Sequence, residues 1–131
     1  MCRYSNELLL SIWDKAQIVE GYDSASYRKD ACGAWIIWSE YGNRENPFGW
    51  EVDHIYPESK LRSLNVPEKM IDDIVNLRPL NWKNNDSKGA DYPYYQASIK
   101  SEERTNVEGE YQMSVNDMVQ KEIVELYKDY L

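Results

Sequence analysis

The chain has 131 residues, 42% of them apolar and 13% aromatic, and carries a net charge of −8 at pH 7. That length suits one domain with a modest core, so residues 1–131 are read as a single unit. No apolar run reaches the roughly 20 residues that span a bilayer, and Met1-Cys-Arg-Tyr4 lacks the basic-then-apolar layout of a secretion signal. A cytoplasmic protein with no membrane association is therefore expected.

The first predicted element is a helix from Ser5 to Glu20, with Ser5 as its cap, an apolar stripe of Leu8, Leu9, Ile12, Trp13 and Ala16, and Gly21 as its stop. Gly21 to Asp30 is polar and turn-like. Ala34-Trp-Ile-Ile-Trp-Ser39 is aromatic and β-branched, which predicts a strand. After a turn at Gly42–Pro47, Phe48 to Asp53 is read as the returning strand of a hairpin, limited by Pro57. Residues 58–75 form a long connection with a helical turn at Pro67–Asp72. Leu77-Arg-Pro-Leu80 is a short extended piece, and Asn81 caps a helix that runs to about Lys88 and ends at Gly89. Between Asp91 and Gly109 no periodicity is legible. A last helix is expected from Ser114 to about Tyr130, with Met118, Val119, Ile123, Leu126 and Tyr127 on one side.

The two cysteines, Cys2 and Cys32, together with one histidine are too few for a structural zinc site. Cys32 is read as a small apolar residue in a packed segment. Trp35, Trp38, Trp50 and Trp82 are assigned to the core.

The acidic excess argues against a grip on nucleic acid, which normally uses a basic patch. It is unevenly spread. Residues 101–131 hold eight acidic against three basic side chains, whereas residues 48–91 hold eight against six.

The chemistry-bearing residues lie in that second stretch. The only histidine, His54, follows Asp53 in Trp50-Glu-Val-Asp-His-Ile-Tyr-Pro57. Imidazole suits a general base at neutral pH. Asp and Asn oxygens suit Mg²⁺ or Mn²⁺, which act as a charge sink in phosphodiester hydrolysis. Neighbours on a regular strand point to opposite faces, so the strand must end, twist or bulge for Asp53 and His54 to share a site. Asn76, which both donates and accepts, can tie the following loop to backbone near His54. The next helix brings Asn85, and on the same face Asn81, back toward Asp53. Of the adjacent Asn84 and Asn85 only one can face an ion, and Asn85 is taken as that one.

This segment resembles the HNH endonuclease family, whose ββα-metal motif has an Asp-His pair, a middle Asn and a final His or Asn on the helix. The likeness covers about Gly49 to Asp91. Tyr27-Arg-Lys-Asp30, Gly33, Tyr41-Gly42 and Gly49-Trp50-Glu51 are also similar to bacterial and phage members.

The resemblance implies an α+β fold: a ββα-metal core flanked by N- and C-terminal helices. It implies His54 as general base, Asn76 as the residue shaping the loop, and Asp53 and Asn85 as ligands of Mg²⁺ or Mn²⁺. Lys88 is similar to the basic residue that contacts a phosphate. Arg78 either braces the phosphate or pairs with Asp72 or Asp73.

The chain departs from the family in three places. Asn85 stands where zinc-binding members have His, Leu61-Arg-Ser-Leu-Asn-Val-Pro67 replaces a Gly-rich connection, and the tail after Asp91 has no counterpart. The expected partner is double-stranded DNA. The alternatives are a partner-binding or DNA-mimic protein on an HNH-derived scaffold, and a subunit whose grip on DNA comes from a basic partner. The acidic segment 101–131 is either a solvated face or an autoinhibitory or partner-binding arm. A basic rim of Lys60, Arg62, Lys83 and Lys88 would favour the enzyme.

Overall fold

The computed structural model describes residues 3–131 and is an α+β arrangement of five helices and three small antiparallel sheets. Cys2 lies outside the described residues. Helix α1 (Asn6–Trp13) is capped by Ser5, whose side chain accepts from the Leu8 amide. It stops seven residues short of the expected end. The guanidinium of Arg28, buried in β2 (Tyr27–Lys29), donates to the carbonyls of Trp13, Asp14 and Ala16, which satisfies the helix end from outside. Gln17–Ile18 then forms β1, and β1, β2 and β3 (Trp35–Ile37) make the first sheet.

The expected hairpin between the Trp35 strand and the Trp50 strand does not form. A 3₁₀ turn at Trp38–Glu40 turns the chain away after β3, whose ladder partner is β2. Strand β4 (Trp50–His54) pairs instead with β5 (Leu77–Asn81), in a register from Trp50 opposite Asn81 to His54 opposite Leu77. The connection between them holds two short helices, α2 (Glu58–Ser63) and α3 (Glu68–Ile71). Helix α4 (Trp82–Lys88) follows β5 directly, capped by the Asn81 side chain on the Lys83 amide and ended by Gly89 at φ +53°.

The segment that carried no periodicity is a long hairpin, β6 (Tyr94–Glu102) and β7 (Thr105–Ser114), with β6 laid against α4. Helix α5 (Asp117–Leu126) closes the fold. Its Ile123 and the following Tyr127 are fully buried, and the Tyr127 hydroxyl donates to the Met70 carbonyl at 2.7 Å. Met118, expected inward, is exposed. The acidic segment is thus partly core.

Two apolar clusters flank β5. Leu77 belongs to the one built around Ile12, Trp13, Ile36 and Trp50, while Leu80 belongs to the one with Leu61, Ile71, Tyr95, Ile123 and Tyr127. Trp13, Trp38 and Trp50 stack within 5.7 Å of one another, consistent with the core role assigned to Trp38 and Trp50. No helix among the described residues is long and apolar enough to cross a membrane.

Candidate functional site

A cleft of about 590 Å³ opens beside the end of β4, walled by Glu51, Asp53 and His54 from that strand, Glu58 from α2, Asn85 from α4, and Arg3 and Tyr4 from the N-terminus. Three of the residues singled out in the sequence, Asp53, His54 and Asn85, therefore border one space. The strand ends at His54 and both neighbours line the cleft, but each is still in ladder register, so their side chains leave the strand on opposite faces.

Asp53 and His54 nevertheless have opposite surroundings. The Asp53 side chain is 4% exposed; Oδ2 accepts from Arg78 Nε at 2.9 Å and Oδ1 lies 3.2 Å from Lys88 Nζ. Lys88 also donates to the His54 carbonyl at 3.2 Å, and its side chain is wholly buried. Burial lowers the Lys88 pKa while Asp53 opposes the shift. For Arg78, burial works against the charge, but Asp53 and Tyr95 together outweigh it and the net shift is upward. Arg78 and Lys88 were expected at a phosphate. Both direct their charge to Asp53, and neither borders the cleft. Nor does Arg78 pair with Asp72 or Asp73; in β5 it stands directly across the ladder from Asp53.

The His54 ring turns toward the β4–β5 connection. Its Nε2 lies 2.8 Å from Asp72 Oδ1, just past α3, and its Nδ1 lies 3.7 Å from Glu58 Oε1. Arg3 bridges the same carboxylates, with Nη2 at 2.9 Å from both Glu58 and Asp72. The bond from Arg3 holds the Glu58 carboxyl down at about 2, against the opposing effect of burial and with help from Arg62.

Asn76 is fully buried. Its Oδ1 accepts from the Tyr56 amide at 2.7 Å, its Nδ2 donates to the Tyr56 carbonyl at 3.1 Å, and its own carbonyl accepts from Ile55. These bonds fix the chain immediately after His54. The adjacent asparagines on α4 differ sharply. Asn84 is buried, accepting from the Ser98 and Ile99 amides and donating to Asp30, so it fastens β6 to the helix. Asn85 faces the cleft and donates from Nδ2 to Glu51 Oε1 at 3.0 Å. Asn81, placed by its helical spacing on the metal-facing side, is instead buried against the Trp35 and Pro47 carbonyls.

Several residues that shape this region are given no role by the sequence. Glu51 sits two residues before Asp53 and so on the same face of β4, a signal available from strand alternation. Burial opposes its charge, but Arg44 and Asn85 hold the carboxyl below its usual range. Glu58 is four residues after His54, in the first turn of α2. Asp72 and Arg3 left no local signal, because the contacts span 18 and 69 residues of chain. Asp30 is completely buried and accepts from the Cys32, Ala34 and Asn81 amides and from Asn84 Nδ2, tying the first sheet to the start of α4. Burial raises its pKa against those four bonds.

The expected basic rim is largely committed. Arg62 is bonded to Glu58 and Glu68, Lys83 lies 3.6 Å from Glu108, and Lys88 is buried. No residue of 101–131 borders the cleft. No protein-family model matches this chain, and no curated protein or solved structure matches it.

Proposed function

We propose that this protein is a metal-dependent endonuclease of the HNH type that hydrolyses DNA phosphodiester bonds. The observation that supports it most is the convergence of Asp53, His54 and Asn85 on one cleft, delivered by two paired strands and the helix that follows them. In this reading β4, β5 and α4 are the ββα-metal unit.

The residues present are compatible with a hard divalent ion. Asp53 spends one contact per oxygen on Arg78 and Lys88, and each carboxylate oxygen has a second lone pair. Asn85 donates its amide hydrogen to Glu51, which leaves its Oδ1 as the ligand atom. Among the described residues no group of three or more His, Cys, Asp and Glu is placed to hold a metal ion, so an ion at Asp53 and Asn85 would keep much of its water, as Mg²⁺ commonly does. When bound at Asp53 and Asn85, Mg²⁺ or Mn²⁺ supplies charge stabilisation at the scissile phosphate and the leaving oxygen.

His54 takes the proton from the attacking water, and Asn76 keeps the backbone after His54 in place while it does so. Lys88 and Arg78 hold the Asp53 carboxylate in place rather than touching the phosphate. The products are a 5′-phosphate and a 3′-hydroxyl.

One observation favours a second reading, a partner-binding or DNA-mimic protein on the same scaffold. Glu51, Asp53 and Glu58 line the cleft, while Arg62 and Lys83 face other carboxylates. A DNA-binding enzyme built this way requires a basic partner to neutralise the phosphates.

Cleavage of supercoiled plasmid separates the readings, with Mg²⁺, Mn²⁺ or EDTA and with wild type beside His54→Ala. Metal-dependent nicking that falls by roughly 10²–10⁴-fold in the variant is the expected result for a lost general base. Equal nicking by folded wild type and variant rejects His54 as the base; none by folded wild type rejects an enzyme that acts alone and leaves the partner-binding and partner-dependent readings.

A further inference from the structure

The β4–β5 connection supplies the partner that fixes the His54 ring. We infer that Asp72 is the positioning residue for His54: its carboxylate selects the tautomer protonated on Nε2 and presents Nδ1 to the cleft as the basic nitrogen. The inference rests on the nuclease reading for the word basic, and on geometry alone for the tautomer.

In neutral imidazole one nitrogen donates and the other accepts, and an ionised carboxylate only accepts. At 2.8 Å from Asp72 Oδ1, Nε2 is within hydrogen-bond length and must carry the hydrogen. Nδ1 is then left with the lone pair. Its nearest carboxylate oxygen, on Glu58, is 3.7 Å away, too far for a hydrogen bond.

The walls of the cleft point the same way. His54 and Glu58 border it and Asp72 does not: Nε2 is bonded to a carboxylate outside the lining, while Nδ1 lies on the side of Glu58, one of the cleft walls. Asp72 is itself held. Arg3 Nη2 donates to its Oδ1 at 2.9 Å and Nε to its Oδ2 at 3.3 Å, and the same guanidinium reaches Glu58. A two-point clamp of this kind fixes an acceptor in direction as well as in distance. The bond made by one ring nitrogen thus sets the role of the other.

The presence of a single histidine makes the test direct, because a sample labelled with ¹⁵N-histidine reports one imidazole. At a pH that leaves the ring neutral, wild type is expected to show Nε2 in the protonated range and Nδ1 in the unprotonated range. Asp72→Ala is expected to lose that preference and become a mixture. Asp72→Asn, which keeps an acceptor oxygen, retains it. An Nδ1-protonated ring in wild type overturns the inference, as does an unchanged tautomer in folded Asp72→Ala. Should the alanine variant fail to fold, the wild-type and asparagine spectra still decide.

In plasmid nicking, Asp72→Ala is expected to lower kcat roughly ten- to hundred-fold with KM nearly unchanged, and Asp72→Asn to recover part of it. A raised KM with wild-type kcat argues against positioning. Absent wild-type nicking combined with the expected tautomer removes the reading as a nuclease that acts alone while leaving Asp72's hold on the ring intact.

Discussion

Asp53 and His54 are neighbours in the chain, yet they sit in two different electrostatic worlds. Asp53 faces inward to Arg78 and Lys88, with side-chain exposures of 4%, 10% and 0% respectively. His54 faces Asp72 and Glu58, which are 22% and 26% exposed and share an exposed arginine. One residue of strand separates a buried anion held by two cations from an imidazole bonded to one wetter anion with a second 3.7 Å away. Strand alternation alone produces this contrast. Its consequence is a division of labour: the buried side is fixed by charge that water cannot screen, and the outer side remains adjustable by solvent and pH.

The largest expected effect breaks the buried side. Removing the Asp53 carboxylate leaves Arg78 and Lys88 buried without their counter-charge, and losing one partner of such a cluster costs about 3–5 kcal/mol. Asp53→Ala should therefore shift the urea midpoint far down or prevent folding, whereas His54→Ala should cost less, because Asp72 and Glu58 are partly exposed and keep Arg3 as a partner. Equal losses in the two variants would show that burial does not separate these neighbours. A double variant, Asp53→Ala with Lys88→Met, sharpens the point: it should regain stability over Asp53→Ala alone, because one stranded charge is gone.

Asn76 comes next. Alanine there leaves the Tyr56 amide without its acceptor inside the fold, a loss of about 1–3 kcal/mol. Because that amide lies two residues after His54, nicking should fall along with stability. Asn85→Ala is the informative contrast: it faces the cleft and its side chain donates one hydrogen bond, to Glu51, so denaturation should barely change while metal-dependent activity drops. A large stability loss in Asn85→Ala would mark that residue as structural instead.

How far the sequence reveals this arrangement depends on whether the signal is local. The Asn81 cap and Gly89 stop of α4, the Ser5 cap of α1 and the strand at Trp50 are each written within a few residues, and each stands in the structure. The pairing partner of β4 is not local; a turn at Gly42–Pro47 suggests a hairpin, but the ladder closes across the long connection to β5.

Strand β6 does alternate, with Tyr95, Ala97 and Ile99 inward, but one strong aliphatic among them gives a faint pattern. The turn that follows is built on Glu103 at φ +54° with Arg104, lacking the Asn-Gly or Asp-Gly pair that usually signals a two-residue hairpin. Strand β7 buries none of its residues fully, so only its ladder with β6 defines it. Within the site, Asp53, His54, Asn76 and Asn85 stood out by residue type and spacing. Asp72 and Arg3 could not, because only the folded chain brings them to the ring.

The smallest effect concerns the outer side and its dependence on pH. Glu58, bonded by Arg3 and Arg62, has its carboxyl lowered to about 2, against an ordinary value of about 4.3 in an unfolded chain. A depressed folded pKa gives stability that is fully present above the unfolded value and is lost as pH falls through the folded one. Wild type should therefore melt above Glu58→Gln at neutral pH. The gap should narrow between about pH 4.3 and pH 2, and close below it, as the carboxyl takes up its proton. The partial exposure of Arg3, Arg62 and Glu58 keeps the gap small and makes it shrink with added salt. Melting curves of the two proteins at pH 2, 4 and 7 check this; a gap that does not vary with pH would mean that the Glu58 contribution is packing, and that the outer side of His54 is no more responsive to solvent than the Asp53 side.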